Sequence, residues 1–313
     1  MTENSPLPFP IEEHYYRYSR YLRDRFGTKV SRIPIDAGFS CPTRDGTLGY
    51  GGCIYCNHAS FAPASGEEKL SVAAQIDSWL ETRRPGRRYL AYFQSYTNTY
   101  KPVGELRRLY QIALQREEIV GLAIGTRPDC VPEDVLDLLA ELSRKTYVSL
   151  ELGIESVHDK TLDWVQRGHD FATTVDAVRR AKAHNLHVSG HLILGFPTET
   201  QREILQSADA INRLGLDALK IHHLHIVQNT QLAEIFAEKP FPLFSEAEWI
   251  SLLTSFLERL DPAIVIQRLC GDALGDSLIA PQWQLPKPEL IRRIRAELQR
   301  RGTHQGHRFI PVK

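Results

Sequence analysis

Between residues 33 and 227 the chain alternates strand-like and helix-like patterning some six times. Strand-like stretches fall at 33–36, 89–94, 119–125, 147–152, 187–194 and 218–227. Helical patterns lie between them at 69–84, 104–115, 132–142, 159–165, 173–183 and 201–214. The 132–142 segment shows the rule, since Val135, Leu138, Leu139 and Leu142 repeat at the spacing of one helix face. Such alternation demands a parallel sheet covered by helices, because parallel strands need crossovers and must be buried on both faces. Six units are too few for a standard eight-stranded barrel, so the sequence predicts a curved, partly open one. In barrels of this kind the chemistry sits at the C-terminal ends of the strands. Past residue 240, Ser245 and Glu248 form a capping box that opens a helix to 260. A seventh strand at 264–270 and a basic helix at 289–300 follow.

Period-two reading separates the two faces of each strand. In the fourth, Val148, Leu150, Leu152 and Ile154 are set to meet the helices. Tyr147, Ser149, Glu151, Gly153 and Glu155 then face the lumen. In the fifth, Val188, Leu192 and Leu194 face outward, and His187, Ser189 and His191 inward. Gly121, Ala123 and Gly125 keep space open beside the third strand. A lumen of carboxylates, imidazoles and small residues costs stability unless it is hydrated or occupied. This barrel is therefore expected to hold something.

The first strand runs into residues 36–62, which carry three of the five cysteines. Eleven residues separate Cys41 from Cys53, and two separate Cys53 from Cys56. Gly46, Gly49, Gly51 and Gly52 lie among them, where tight turns and close backbone approach need them. A C-x-x-C pair suits a metal clamp. Three thiolates can hold three irons of a cubane and leave the fourth open, with the aromatic ring of Tyr55 placed to cover a bound ring. A Cys3His zinc knuckle using His58 is a second reading, and a disulfide a third. An odd cysteine count and no secretory signal point to a reducing cytosol, against the disulfide.

Charge balances at 38 basic and 38 acidic residues, but not locally. Residues 14–32 hold six basic residues and one acid, interleaved with Tyr15, Tyr16, Tyr18 and Tyr21. From residue 286 onward there are eight basic residues and two acids. Basic ends on a neutral chain suit a polyanionic partner, and solvated helix faces account for them equally well. No apolar run is long enough to span a membrane. The chain is expected to be cytoplasmic.

Taken together, these motifs resemble the radical S-adenosylmethionine (SAM) superfamily. Beyond the cysteines, Gly125-Thr-Arg-Pro-Asp129 is similar to a motif of members related to the elongator catalytic subunit. Leu150-Glu-Leu-Gly-Ile-Glu-Ser156 with Arg167-Gly-His169 resembles the SAM-binding segment of the coproporphyrinogen dehydrogenase type. Leu192-Ile-Leu-Gly-Phe-Pro197 with Glu199-Thr200 resembles a fifth-strand motif near the adenine. With Thr97-Asn-Thr-Tyr100 and the stretch 268–272, the whole is most similar to the YhcC/YtqA subgroup.

The resemblance implies an α/β fold: a partial (β/α)6 barrel at 33–240, preceded by a basic arm at 1–32 and followed by an α/β extension at 241–313. It implies Cys41, Cys53 and Cys56 as ligands of a [4Fe–4S] cluster whose open iron takes SAM. Reductive cleavage of SAM then yields a 5′-deoxyadenosyl radical that abstracts hydrogen from substrate. For SAM contacts it implies Tyr55 on the adenine, Gln94 and Ser95 at the amino group, Glu155 and His191 at the ribose, and Arg167 at the carboxylate. The usual Gly-Gly-Glu motif is absent at Gln94 and Ser95. It further implies an electron donor such as flavodoxin or ferredoxin, and tRNA as substrate through its wobble uridine side chain. A small metabolite or porphyrin-like precursor is the alternative substrate, and a non-catalytic iron–sulfur or zinc protein the alternative class.

Other residues are given structural roles. Alternation splits His222 from His223 and His225, so the three do not form a metal site. Lys220 and His222 share a face and line the substrate end. Cys130 and Cys270 read as buried thiols.

Overall fold

A computed structural model describes residues 7–57, 70–82, 86–271 and 277–311. In chain order the strands are β1 (Val30–Ile35), β2 (Arg88–Phe93), β3 (Ile119–Thr126), β4 (Tyr147–Glu155), β5 (His187–Leu194), β6 (Ala218–His223), β7 (Ile226–Val227), β8 (Val265–Arg268) and β9 (Leu278–Ala280). The α-helices are α1 (Tyr18–Phe26), α2 (Val72–Glu81), α3 (Val103–Ala113), α4 (Glu133–Ser143), α5 (Asp159–Trp164), α6 (Phe171–Ala183), α7 (Gln201–Leu214), α8 (Gln231–Glu238), α9 (Glu246–Arg259) and α10 (Lys287–Arg300).

Seven strands form one sheet in the order β1-β2-β3-β4-β5-β6-β8, every pair parallel. The sheet curls into a half-barrel with helices outside. The alternation predicts this architecture, and the seventh strand proves to belong to the barrel sheet. The sixth strand-like stretch is shorter than its apolar run suggests: pairing stops at His223, and Ile226–Val227 turn away to pair antiparallel with β9. Helix α8 follows this turn, with Thr230 as its N-cap.

Outward faces build one core. Val148, Leu150, Leu152 and Ile154 of β4 join Leu138 and Leu139 of α4 and Ile204 and Ile211 of α7. The expected capping box of Ser245 with Glu248 is reciprocal, and the structure adds a second, Thr200 with Glu203, which opens α7.

The edges of the half-barrel are β1 and β8, and exposed edges invite stray pairing unless covered. Here Tyr16 O accepts from Ile266 N at 2.7 Å. Across the seam Arg32 Nη2 donates to Gln267 Oε1 at 2.9 Å. The segment entering α1 is itself tied to the chain after α10. Tyr16 N donates to Gln305 Oε1 at 3.0 Å, and Gln305 N to His14 O at 2.8 Å.

The Tyr/Arg stretch at 14–32 is therefore not a free arm. Tyr15 is buried in the main core, and Tyr21 packs 5.4 Å from the His187 ring and 6.4 Å from Tyr147. Those rings are spent on the floor of the barrel. Among the described residues no helix is long and apolar enough to cross a membrane.

Candidate active site

The cysteine loop leaves the C-terminal end of β1 and folds over the barrel mouth. Gly52 has φ +87°, and a Cβ there would come within 2.7 Å of the Arg44 side chain. That guanidinium needs the space, because its Nη2 donates to Cys56 O at 2.7 Å and ties the two ends of the loop together. Cys41, Cys53 and Cys56 all open onto one cavity of about 270 Å³, and none is in a disulfide.

The thiols are tuned individually. Burial raises the Cys41 pKa, but hydrogen bonds involving Thr43 and Thr97, with the Arg127 charge, hold it below its ordinary value. Cys41 Sγ and Thr43 Oγ1 are 3.2 Å apart. Cys56 is pushed up by burial and by the neighbouring Cys53. Arg167 Nη1 donates to Cys53 Sγ at 3.6 Å.

Arg167 is fixed by the motifs around it. Its Nη2 donates to Gly153 O at 2.7 Å and lies 3.4 Å from Glu155 Oε1. A Cβ on Gly153 would clash with both side chains at about 2.5 Å, so a glycine is required. Arg127 of the G-T-R-P-D motif grips Asp129 with two bonds, at 2.9 and 2.8 Å, and donates to Arg167 O at 2.7 Å. It thus positions the arginine above it. In the neighbouring Thr97-Asn-Thr-Tyr100 motif, Thr97 lines the cavity beside Cys41, and Asn98 and Thr99 are structural. Asn98 Nδ2 donates to Gly125 O at 2.8 Å, and Thr99 Oγ1 lies 2.6 Å from Thr126 Oγ1.

The structure brings most of the expected SAM contacts onto this cavity: Tyr55, Gln94, Glu155, Arg167 and His191. It does not bring Ser95. With Gln94 turned inward, Ser95 is directed away and lies buried outside the cavity lining. Glu155 sits at φ +65° where β4 bulges, and that turn swings its carboxyl toward the cavity. Burial raises its pKa against the opposing pull of Arg167.

Deeper in the lumen lies an ion cluster that sequence reasoning found only in part. Glu151, fully buried, accepts from Arg32 Nη2 at 2.7 Å and His191 Nε2 at 2.9 Å, with Lys220 Nζ 3.7 Å away. Burial raises the Glu151 pKa, but Arg32 and Lys220 overcome this and hold it well below the usual range. Burial, then Lys220, lowers His191 to about 4, so it is neutral at pH 7. Burial lowers Lys220 to about 7. His222 faces the cavity, while the rings of His223 and His225 touch each other outside it, as alternation predicts. Cys130, its pKa pushed up to about 12 by burial, and Cys270 are both buried and absent from the cavity lining.

This donor set fits an iron–sulfur cubane. The three thiols share one cavity. Arg167 Nε and Arg127 Nη1 are buried donors without partners beside them, suited to an anionic body. His58, the fourth zinc ligand of the alternative reading, lies outside the described residues.

Residues 48–211 match the model of the Radical SAM superfamily, and residues 216–300 the Radical_SAM C-terminal domain. The Uncharacterized protein YtqA of Bacillus subtilis is 35% identical over 313 residues, covering 99% of this chain and 97% of its own. The tRNA uridine(34) acetyltransferase of Methanocaldococcus infernus is 27% identical over 181 residues, 53% of this chain and 33% of that one. Among solved structures, the archaeal Methanocaldococcus infernus Elp3 with an N-terminal deletion aligns with a TM-score of 0.66 at 18% identity. The alignment covers 88% of this chain and spans 64% of the Elp3 chain. At that identity the likeness is one of fold.

Proposed function

Because the chain belongs to the radical SAM superfamily, as an enzyme of the YhcC/YtqA subgroup that uses a [4Fe–4S] cluster and SAM, we propose that it modifies tRNA at a uridine side chain. Cys41, Cys53 and Cys56 hold the cluster. The observation that carries this reading is the convergence of those three thiols and Arg167 on one cavity at the C-terminal rim. When bound, the cluster and SAM supply the reducing electron and the radical chemistry of the family.

The chain's own residues bind and orient. Arg167, held by Gly153 O and Arg127, presents a fixed guanidinium to the SAM carboxylate. Tyr55, 6.1 Å from Phe196, walls the adenine side. His191 spends Nε2 on Glu151 and stays uncharged, leaving Nδ1 for a ribose hydroxyl. Ile193, Tyr55 and Tyr92 on the cavity wall limit the water that would quench a radical.

Two findings support the tRNA reading. One is the relative named for tRNA uridine 34. The other is that the two basic segments, far apart in sequence, lie side by side: Tyr16 N donates to Gln305 Oε1 at 3.0 Å, and His14 Nδ1 is 3.3 Å from Thr303 O. The test compares modified nucleosides in tRNA from cells with and without the gene, with tRNA binding by the reconstituted enzyme as a function of salt. Loss of one modified uridine, and a log affinity that falls linearly with log salt, is the expected result. An unchanged nucleoside profile with no tRNA binding transfers the reading to a small-molecule substrate.

A further inference from the structure

The chain folds back on itself where it leaves β3. Pro128 opens a short 3-10 turn, Pro128–Cys130, and Cys130 N donates to Arg127 O at 3.1 Å. This reversal brings together side chains two apart in sequence. Arg127 and Asp129 meet edge to edge, Nε to Oδ1 at 2.9 Å and Nη2 to Oδ2 at 2.8 Å. The pair is not symmetric about the cavity with the cysteines: Arg127 lines it, and Asp129 does not. The carboxylate therefore stands behind the guanidinium, and the end of the pair at the thiols is the positive one.

Arg127 is buried and cannot turn away. Besides its bonds to Asp129, Nη2 donates to Arg167 O at 2.7 Å, while Nη1 is buried with no partner. Cys41 and Cys53 both lie within the field of this charge. Burying a guanidinium is costly unless it is paired, and Asp129 offsets that cost while fixing the orientation. The side chain thus has two separable properties, a bond that holds Arg167 and a fixed positive charge beside two thiols. Arg167 is a second buried cation, but Glu155 lies 3.4 Å from it and its free donors face the SAM carboxylate. A charge in a poorly hydrated wall acts strongly on any change of charge next to it, because little water screens it. Reduction of an iron–sulfur cluster adds one negative charge, and nearby charges and hydrogen bonds set how readily that happens.

We infer that Arg127, oriented by Asp129, sets the reduction potential of the cluster held by Cys41, Cys53 and Cys56, in addition to holding Arg167. One electron passes from the electron donor to the cluster; no bond forms or breaks, and the fixed positive charge favours the reduced state. Asp129 acts in the opposite sense, from behind. The inference rests on the three thiols holding a cluster, and it is the same whatever the substrate.

The test uses the full chain with its cluster reconstituted and without SAM. It is titrated anaerobically with dithionite and redox mediators, and the reduced cluster is counted by electron paramagnetic resonance. Arg127→Met is expected to shift the one-electron reduction equilibrium about tenfold toward the oxidised state, a midpoint about 59 mV lower. Asp129→Asn, which keeps the shape and removes the balancing charge, is expected to shift it several-fold toward the reduced state. Arg127→Lys keeps the charge and loses the edge-to-edge clasp. Its equilibrium is expected to stay within about threefold of wild type while SAM affinity falls several-fold. Iron content matches wild type in all three. A merely structural clasp is broken by Arg127→Met and Asp129→Asn alike, so it cannot move the potential in opposite directions. Shifts of the same sign in those two variants, or unchanged potentials in both, overturn the inference. Should Arg127→Met take up no iron, Asp129→Asn decides: a raised potential supports the inference, and an unchanged or lowered one overturns it. Wild-type protein that takes up no iron overturns the cluster reading together with this inference, whereas a loaded cluster with unmoved potentials removes the inference alone.

Discussion

Replacing Glu151 by Gln removes the one carboxylate at the centre of the lumen while keeping its shape. The residue is fully buried and holds Arg32 and His191 at 2.7 and 2.9 Å, with Lys220 at 3.7 Å. A neutral amide can still accept one of these bonds, but Arg32 and Lys220 then face each other without an intervening anion. A pair of charges about 4 Å apart is worth about 4 kcal/mol at the effective dielectric of ~20 that suits protein sites. Breaking a buried pair from one side typically costs about 3–5 kcal/mol. Glu151→Gln is therefore expected to lose about 3–5 kcal/mol at pH 7, measured by urea unfolding followed by far-UV circular dichroism. Arg32→Met in the same chain should recover a good part of the loss, because the stranded cation is gone. The pH dependence follows from the depressed carboxyl. A carboxylate whose folded pKa lies below its unfolded value stabilises above about pH 4.5, and that contribution fades as pH falls through the folded value. The gap between wild type and variant should thus be full at pH 7 and shrink on acidification. A loss under about 1 kcal/mol, or a gap that widens toward low pH, would refute the reasoning.

Three further outcomes are expected. Cys41→Ala, Cys53→Ala and Cys56→Ala each abolish the cluster, read by iron content and visible absorbance, whereas Cys130→Ala and Ser95→Ala leave cluster and SAM binding intact because neither side chain reaches the cavity. Arg167→Ala weakens SAM binding by about 1.5–3 kcal/mol, measured anaerobically on reconstituted protein, and unchanged affinity would remove it from the site. Neutralising Arg292, Arg293, Arg295, Arg300 and Arg301 together flattens the salt slope of tRNA binding by about one or two rather than about four, since all but Arg295 are already paired with Glu289 or Glu297.

Much of the site is legible in the sequence because it depends on local spacing. Alternation along β4 and β5 places Glu151, Glu155 and His191 inside, and the structure agrees. The same rule correctly parts His222 from His223. What escapes is anything made by residues distant in sequence. Arg32 reaches Glu151 across 119 residues and Gln267 across 235, and no periodicity links them. Arg127 looks like part of a motif, but its work of holding Arg167 is visible only once β3 and β4 lie side by side. Tyrosines among arginines read as a stacking arm, yet burial of Tyr15 and the packing of Tyr21 claim those rings first. In α10 the pairing could have been anticipated: Glu289 stands three and four residues before Arg292 and Arg293, and Glu297 likewise before Arg300 and Arg301, the spacing at which helix side chains meet.

The bonds that join residues 14–16 to residues 303–305 bear on the order of assembly. On the ribosome the segment with Tyr16 emerges long before Gln305 exists, so its backbone amide must wait for its acceptor. The same holds for β1, whose seam partner Gln267 is made late. Contacts of such sequence separation slow folding, because a very long loop must close before they form. The cysteine loop, by contrast, lies just past β1 and is finished early. Nascent chains would therefore present their three thiols while the barrel around them is still open at one edge, an interval in which a cluster could be delivered before the wall closes.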